Sequence, residues 1–423
     1  MIDFKKHPCF NKEAKGQYAR VHLPVAPKCN ISCNYCNRKF DCVNESRPGV
    51  TSNILSPEQS MVYLKGLKEK MPNLSVVGIA GPGDPFANPN ETMETLRLVR
   101  KTYDDMILCV SSNGLGIGPY IDELAELEVS HVTITINALD PEILSKVYRW
   151  VRFDKKGYFG LEGATILLGK QLEAIEKLKA AGITVKANAI VIPGINEDHL
   201  PELAEGLAKM GVDLMNTIPL IPVEDTPFSD LTEPEAATMK AIRKEIGAFL
   251  PPMTHCSRCR ADAAGLLGKD STEAMELLSE AAKMTVGCGG GEEEERPYVA
   301  VASNEGILVN QHLGEADRLY IFKETPNGYK LVNQRVTPSR GKGDDRWVEL
   351  GDTLSDCRAI LVGGIGPKPS KILGKSGIKV VEMSGLIDQG MDAIYKGEDL
   401  RTITKAEAFK CGASCSGTGT GCG

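Results

Sequence analysis

Long apolar runs are missing from these 423 residues. Stretches such as Ala187–Ile192 fall far short of the ~20 residues a membrane-spanning helix needs. The opening Met-Ile-Asp-Phe-Lys-Lys-His has no apolar segment, so the cytoplasm is the expected compartment and no membrane partner is expected. A basic excess is missing too. Net charge is −7 and the pI about 5.6, which argues against nucleic acid or an anionic membrane surface as a partner. No internal repeat is visible. The length suffices for two or three domains, each with its own core. Cysteine, by contrast, is plentiful.

Thirteen cysteines is an odd number, and without a secretion signal a disulfide framework is not expected. Metal or redox work explains them better. Cys9, Cys29, Cys33, Cys36 and Cys42 crowd the start, Cys256 and Cys259 form a C-x2-C, and Cys411, Cys415 and Cys422 sit in a glycine-rich tail. The loop Cys29-x3-Cys33-x2-Cys36 follows an apolar run from Val21 to Ala26. Three thiolates so spaced hold three irons of a [4Fe–4S] cube and leave the fourth iron open. A ferredoxin closes all four corners, because it only moves electrons. An open iron suits S-adenosylmethionine (SAM), whose amino and carboxylate groups chelate it. An electron passed into the sulfonium then breaks a C–S bond and releases a 5′-deoxyadenosyl radical. In this spacing the chain resembles the radical SAM enzymes. The competing reading is a zinc knuckle, with Cys42 completing a C-x3-C-x2-C-x5-C set.

Apolar runs alternate with helical stretches from Val21 to about Leu220. Candidate strands are 21–26, 76–80, 106–111, 131–137, 183–192 and 212–220, with amphipathic stretches such as 93–101 and 171–181 between them. Near-continuous apolar strands joined by helices give an α/β fold with a parallel sheet, here a partial (β/α)6 barrel. In that architecture the chemistry sits at the C-terminal ends of the strands. Residues 235–249 and 272–284 read as helices on either side of the C-x2-C, so residues 1–285 form one domain. Residues 286–296, with the acidic run Glu292–Glu295, read as a linker. A small mixed α/β module follows over 297–410, with strands expected at 298–302, 318–322, 329–336, 359–362 and 378–381. The tail, 411–423, is too glycine-rich to fold unaided.

Soft ligands recur outside the cysteine loop: His7-Pro-Cys9 before the first strand, His22 within it, Cys42 at the end of Arg-Lys-Phe-Asp-Cys, Cys109 in the third strand, and His255-Cys-Ser-Arg-Cys259 after the sixth. A barrel would bring them to one mouth. Taken alone, Cys109 reads as a core cysteine and His22 as a satisfied core histidine. The segments Cys29–Cys42, Asn44-Glu-Ser-Arg-Pro-Gly-Val50, Gly81-Pro-Gly-Asp-Pro85, Ser111-Ser-Asn-Gly-Leu115 and Cys256-x-x-Cys-Arg-Ala-Asp-Ala263 together resemble the NifB family. These are radical SAM maturases that build the core of the nitrogenase cofactor. Residues 297–423 are similar to the NifX-type cofactor-carrier domain, of ribonuclease H-like fold.

The resemblance implies that two further [4Fe–4S] clusters are substrates, fused around a SAM-derived carbide with one extra sulfide into an eight-iron core. One SAM would donate a methyl group to a cluster sulfide, and a second would yield the radical that takes hydrogen from it. It further implies His22, Cys42 and Cys109 as ligands of one cluster and Cys9, Cys256 and Cys259 as ligands of the other, with His7 and His255 in reserve. Imidazole holds iron less tightly than thiolate, which suits a cluster that must leave. SAM is expected across the strand ends. Gly81 and Gly83 would allow close backbone approach, Asp84 would accept from a hydroxyl or ammonium, and Ser112, Asn113, Asn137 and Asn188 would offer neutral hydrogen bonds. Tyr35 would present its backbone to the adenine. All of these equally fit ordinary loop-capping groups. Glu45 and Arg47, beside the cluster loop, either handle the proton lost from the methyl group or brace the loop. Asn310-Gln-His312 matches carrier domains in which such a histidine is associated with bound cofactor. The partners implied are SAM, iron–sulfur cluster donor proteins, an electron donor such as ferredoxin or flavodoxin, and carrier or scaffold proteins that receive the product. Two alternatives fit the same residues: a radical SAM enzyme with auxiliary electron-transfer clusters acting on a peptide or small molecule, and a non-enzymatic iron–sulfur scaffold.

Overall fold

The computed structural model describes residues 2–42, 51, 53–257, 259–284, 296–325, 328–341 and 343–396. It divides into two compact units, Met1–Val286 and Gly287–Gly423. Glu45, Arg47, Cys288, Cys411, Cys415 and Cys422 lie outside the described residues, as does nearly all of the 286–296 segment.

Six strands carry the first unit: β1 (Ala19–His22), β2 (Leu74–Ile79), β3 (Ile107–Ser112), β4 (Val129–Thr135), β5 (Thr184–Val191) and β6 (Leu214–Pro219). They neighbour one another in chain order, each parallel to the next. Helices make the crossovers that parallel pairing requires. Their apolar residues face the sheet at helical spacing: in Leu200–Lys209 the buried positions are Leu200, Leu203, Ala204 and Leu207. The helix Pro57–Lys70 begins with a capping box. Ser56 Oγ accepts from the Gln59 N–H at 3.1 Å, and the Ser56 N–H donates to Gln59 Oε1 at 2.8 Å.

Three features differ from expectation. The first strand is Ala19–His22 rather than 21–26, because Pro24 has no N–H to continue the ladder. Beyond it, a lone bridge joins Ala26 to Pro82. The segment after the C-x2-C is not wholly helical. It contains an antiparallel hairpin, β7 (Ala264–Leu266) and β8 (Lys269–Asp270), that pairs with the outer edge of β1. Finally, the cysteine loop is itself partly strand. Ile31–Cys33 pairs antiparallel with Tyr148–Phe153, which pairs with Lys156–Phe159 in a separate three-stranded sheet.

The second unit is a mixed five-stranded sheet of β9 (Tyr298–Val301), β10 (Arg318–Thr325), β11 (Gly328–Val336), β12 (Cys357–Val362) and β13 (Lys379–Glu382), in the order β11-β10-β9-β12-β13. Side chains alternate between two cores. Ala300, Leu319, Ile321, Ile360 and Val362 face one, while Val299, Val301, Tyr320, Ala359 and Leu361 face the other. Burial on both faces explains why these strands read as continuous apolar runs.

Candidate active site

The thiols of Cys29, Cys33 and Cys36 line a cavity of about 500 Å3, with Arg38 and Cys42 beside them and Ala80, Gly83, Asp84, Ser111, Ser112, Asn113 and Thr135 opposite. These opposing residues come from the C-terminal ends of β2, β3 and β4 and the loops that follow. Among the described residues no three His, Cys, Asp or Glu side chains converge tightly enough to hold a single metal ion. The three thiols and Cys42 share this one cavity with the strand-end residues. Burial pushes the Cys29 thiol up to about 12, against the pull of the Arg38 guanidinium. Burial, with its neighbouring cysteines adding to it, also raises Cys33 well above the ordinary thiol range. Thiols held this way ionise when a metal displaces the proton.

The loop owes its position to contacts the sequence pattern did not disclose. A Cβ on Gly83 would sit 2.1 Å from the Lys28 carbonyl oxygen. Glycine is therefore required for this chain to pass the start of the cysteine loop. Asp84 is buried, and its carboxylate accepts from the Asn113 N–H at 2.7 Å, the Phe86 N–H at 2.8 Å and Ser112 Oγ at 3.0 Å. Asn113 Nδ2 donates to Asn30 Oδ1 at 2.6 Å, which ties this brace to the residue following Cys29. Arg38 donates to the carbonyls of Pro82 and Pro27, both at 2.8 Å.

A second cavity, of about 540 Å3, is lined by His7, Cys9, Phe10, His22, Gly78, Cys109, Lys186, Cys256 and Cys259 among others. It shares Ala80 and Ser111 with the first. The second cavity lies one residue pair deeper along the strands, since Cys109 precedes Ser111 and Thr133 precedes Thr135. His22, Gly78, Cys109 and His131 are consecutive register partners across β1 to β4, so they share one face of the sheet. A Cβ on Gly78 would lie 3.0 Å from Cys109 Sγ and 3.1 Å from His22 Cδ2, so glycine keeps the gap between the two donors open. His22 Nδ1 is 3.1 Å from the Arg260 carbonyl oxygen. A carbonyl only accepts, so Nδ1 carries the proton and Nε2 presents a lone pair. Burial, followed by the Arg20 charge, lowers His22 to about 4, which keeps it neutral. The hairpin β7–β8 brings the C-x2-C over β1. There the buried Arg20 donates to Cys259 Sγ at 2.9 Å and to Asp270 Oδ1 at 2.7 Å.

Five of the six expected substrate-cluster ligands thus surround one cavity, while Cys42 stands on the wall of the other, its N–H donating to the Pro82 carbonyl. Of the residues expected near SAM, Gly83, Asp84, Ser112 and Asn113 are on the first wall. The side chains of Tyr35, Asn137 and Asn188 are spent inside the core. Asn137 Nδ2 donates to the hydroxyls of Tyr35 (3.1 Å) and Tyr148 (2.9 Å), and Asn188 Oδ1 accepts from Asn216 (3.2 Å). The Gly81 carbonyl accepts from the Ala26 N–H. His255 bonds the Pro8 carbonyl. Sequence reasoning missed Arg20, Arg38, His131 and Lys186. The signal for Lys186 was present: the one charged residue in the mostly apolar stretch Ile183–Ile192. In the second unit, His312 forms an isolated bridge with Gly364, and Asn310 Nδ2 donates to both oxygens of Glu305.

The parallel sheet and its three-cysteine cavity define a radical SAM protein, and residues 23–207 match the model of the Radical SAM superfamily. Residues 295–397 match the family described as dinitrogenase iron-molybdenum cofactor. The chain is 51% identical over 425 residues to the FeMo cofactor biosynthesis protein NifB of Chlorobaculum tepidum, covering 100% of this chain and 99% of that one. It is 41% identical over 402 residues to the NifB of Klebsiella pneumoniae (88% and 86% covered) and 35% identical over 442 residues to that of Azotobacter vinelandii (93% and 88% covered). The chain belongs to the NifB family. Among the described residues no helix is long and apolar enough to cross a membrane.

Proposed function

We propose that this protein fuses two [4Fe–4S] substrate clusters with a SAM-derived carbon and an extra sulfide into the eight-iron precursor of the nitrogenase cofactor. The observation that carries the reading is the second cavity. His22, Cys9, Cys109, Cys256 and Cys259 surround one space that shares the walls Ala80 and Ser111 with the cavity of Cys29, Cys33 and Cys36.

Cys29, Cys33 and Cys36 would hold a [4Fe–4S] group that supplies an open iron for SAM and the electron for C–S cleavage. The chain's own residues do the rest. Arg38 places a cation beside thiolates that burial would otherwise keep protonated. The Asp84–Asn113–Asn30 brace fixes the cysteine loop against the strand ends, so the SAM side of the cavity is formed before substrate arrives. Cys9, Cys109, Cys256 and Cys259 present thiols to the substrate clusters, and His22 presents the Nε2 lone pair. Lys186, buried on the same wall, sets a cation against the negative charge of thiolate-bound iron–sulfur cargo. A set that mixes imidazole with thiolate releases its product more readily than four thiolates would.

The test is product analysis after anaerobic incubation with iron, sulfide, SAM and a reductant. Wild-type protein should yield S-adenosylhomocysteine, 5′-deoxyadenosine and an eight-iron product. Cys33→Ala should abolish both nucleoside products. Cys256→Ala should still release 5′-deoxyadenosine but neither transfer the methyl group nor assemble the eight-iron product. An eight-iron product from Cys256→Ala would refute the ligand assignment.

A further inference from the structure

Reductive SAM cleavage consumes one electron each time. The carrier is oxidised by one electron, and the C5′–S bond of SAM breaks to methionine and the adenosyl fragment. The electron has to enter through the surface near Cys29, Cys33 and Cys36. One element there is built like a docking site and has no role in the cavities. Tyr148–Phe153 and Lys156–Phe159 form a hairpin joined by a two-residue turn. Asp154 (φ 47) and Lys155 (φ 61) take the left-handed values that such a tight turn requires. The hairpin is hydrogen-bonded directly to the cysteine loop. Cys33 pairs with Tyr148 and Ser32 with Trp150, the Asn34 N–H donates to the Val147 carbonyl, and the Arg152 N–H donates to the Asn30 carbonyl. Phe159 pairs with Trp150, so only two strand spacings, about 10 Å, separate the outer strand from the strand of Cys33.

The exposed composition of this hairpin departs from the rest of the first unit. Phe159 is 66% exposed, the most exposed large apolar side chain described there, and Leu161 beside it is 47% exposed. Lys146, Arg149, Lys155 and Lys156 are exposed around them. None of the four makes an ion pair among the described residues. Some exposed lysines elsewhere do pair, as in Lys177–Glu173 and Lys209–Glu205, so what sets this hairpin apart is four unpaired cations gathered around exposed Phe159 and Leu161. Asp154, Glu142 and Glu162 are the nearby acids along the chain. An apolar centre within an unpaired cationic rim, on a protein of net charge −7, fits an acidic partner.

We infer that the 148–159 hairpin is the docking surface for a small acidic one-electron carrier protein, which delivers its electron across the strand of Cys33. The inference rests on the reductive SAM chemistry proposed above, and its test keeps the two separable. 5′-Deoxyadenosine formation by full-length reconstituted protein is measured with dithionite and, separately, with a reduced acidic 2[4Fe–4S] ferredoxin. Lys155→Glu/Lys156→Glu and Phe159→Ser should retain the dithionite-driven rate and lose about tenfold or more of the ferredoxin-driven rate. An unchanged ferredoxin-driven rate in both variants overturns the docking surface. If the charge reversal also abolishes the dithionite rate, the wild-type protein decides. Its ferredoxin-driven rate should fall about tenfold between ~0.05 and ~0.5 M salt while its dithionite rate holds, and a flat profile overturns the inference. Wild-type protein with no dithionite-driven cleavage would refute the function itself.

Discussion

His7 and His22 line the same cavity with Nδ1 committed in opposite roles, accepting in His7 and donating in His22. His22 Nδ1 donates to the Arg260 carbonyl, leaving Nε2 as a lone pair. His7 Nδ1 accepts from the Cys9 N–H at 3.2 Å, so its proton sits on Nε2, which is buried and has no hydrogen-bond partner among the described residues. On the proposed chemistry, His22 would ligate iron and His7 would donate a hydrogen bond to a sulfide or thiolate. Pulsed EPR of cluster-loaded protein should show one directly coordinated nitrogen, lost in His22→Ala and kept in His7→Ala. His7→Ala should weaken cluster retention about 10- to 100-fold, as expected when a supporting hydrogen bond is removed. Loss of the coordinated nitrogen in His7→Ala would reverse the two roles.

Gly78 separates the two donors contributed by neighbouring strands. A methyl group there would press on Cys109 Sγ at 3.0 Å and His22 Cδ2 at 3.1 Å. Gly78→Ala should therefore lower iron bound in the second cavity while leaving SAM binding at the first intact. Iron stoichiometry together with SAM affinity checks this, and equal iron in variant and wild type would show that the gap is not needed.

The six parallel strands were legible because strands buried on both faces leave unbroken apolar runs, and the cysteine loop was legible because its spacing is local. The hairpin β7–β8 was not. Ala264–Leu266 and Lys269–Asp270 are too short to register as strands, and only the pairing of Ala264–Leu266 with β1 and with Lys269–Asp270 makes them so. Likewise, no sequence pattern relates Arg20 to Cys259, 239 positions apart. The family resemblance grouped Cys42 with His22 and Cys109, while in the structure Cys42 lines the first cavity and its N–H bonds the Pro82 carbonyl. Chemical type was readable along the chain, whereas assignment to a cavity depended on which strand ends face each other.

Arg20 joins that hairpin to the ligand set. It is fully buried and donates to Gly265 and Leu266 carbonyls, to Asp270 and to Cys259. Arg20→Met strands Asp270 and leaves two carbonyls short of a donor. It should cost about 2–4 kcal/mol in urea unfolding of the first unit. Arg20→Lys should not rescue it, because one ammonium cannot span all of these acceptors. Full stability in Arg20→Lys would mean that charge alone matters.

His131 gives the metal-free protein an acid sensitivity whose sign is fixed. Burial, reinforced by the Lys186 charge, lowers its pKa to about 4, while in the unfolded chain it titrates near 6.5. Between those values the unfolded state binds the extra proton, so stability falls as pH drops through 6.5 and the loss levels off below about 4. For this one group the loss is about 2 kcal/mol at pH 5. Its ring packs against His7 at 4.6 Å and Phe10 at 4.2 Å between centroids. His131→Asn should be less stable than wild type at pH 7, yet lose less on acidification to pH 5. Thermal melts of both proteins at the two values measure the difference. Identical pH dependence would show that His131 is not held neutral, and that the packing around it is looser than the distances imply.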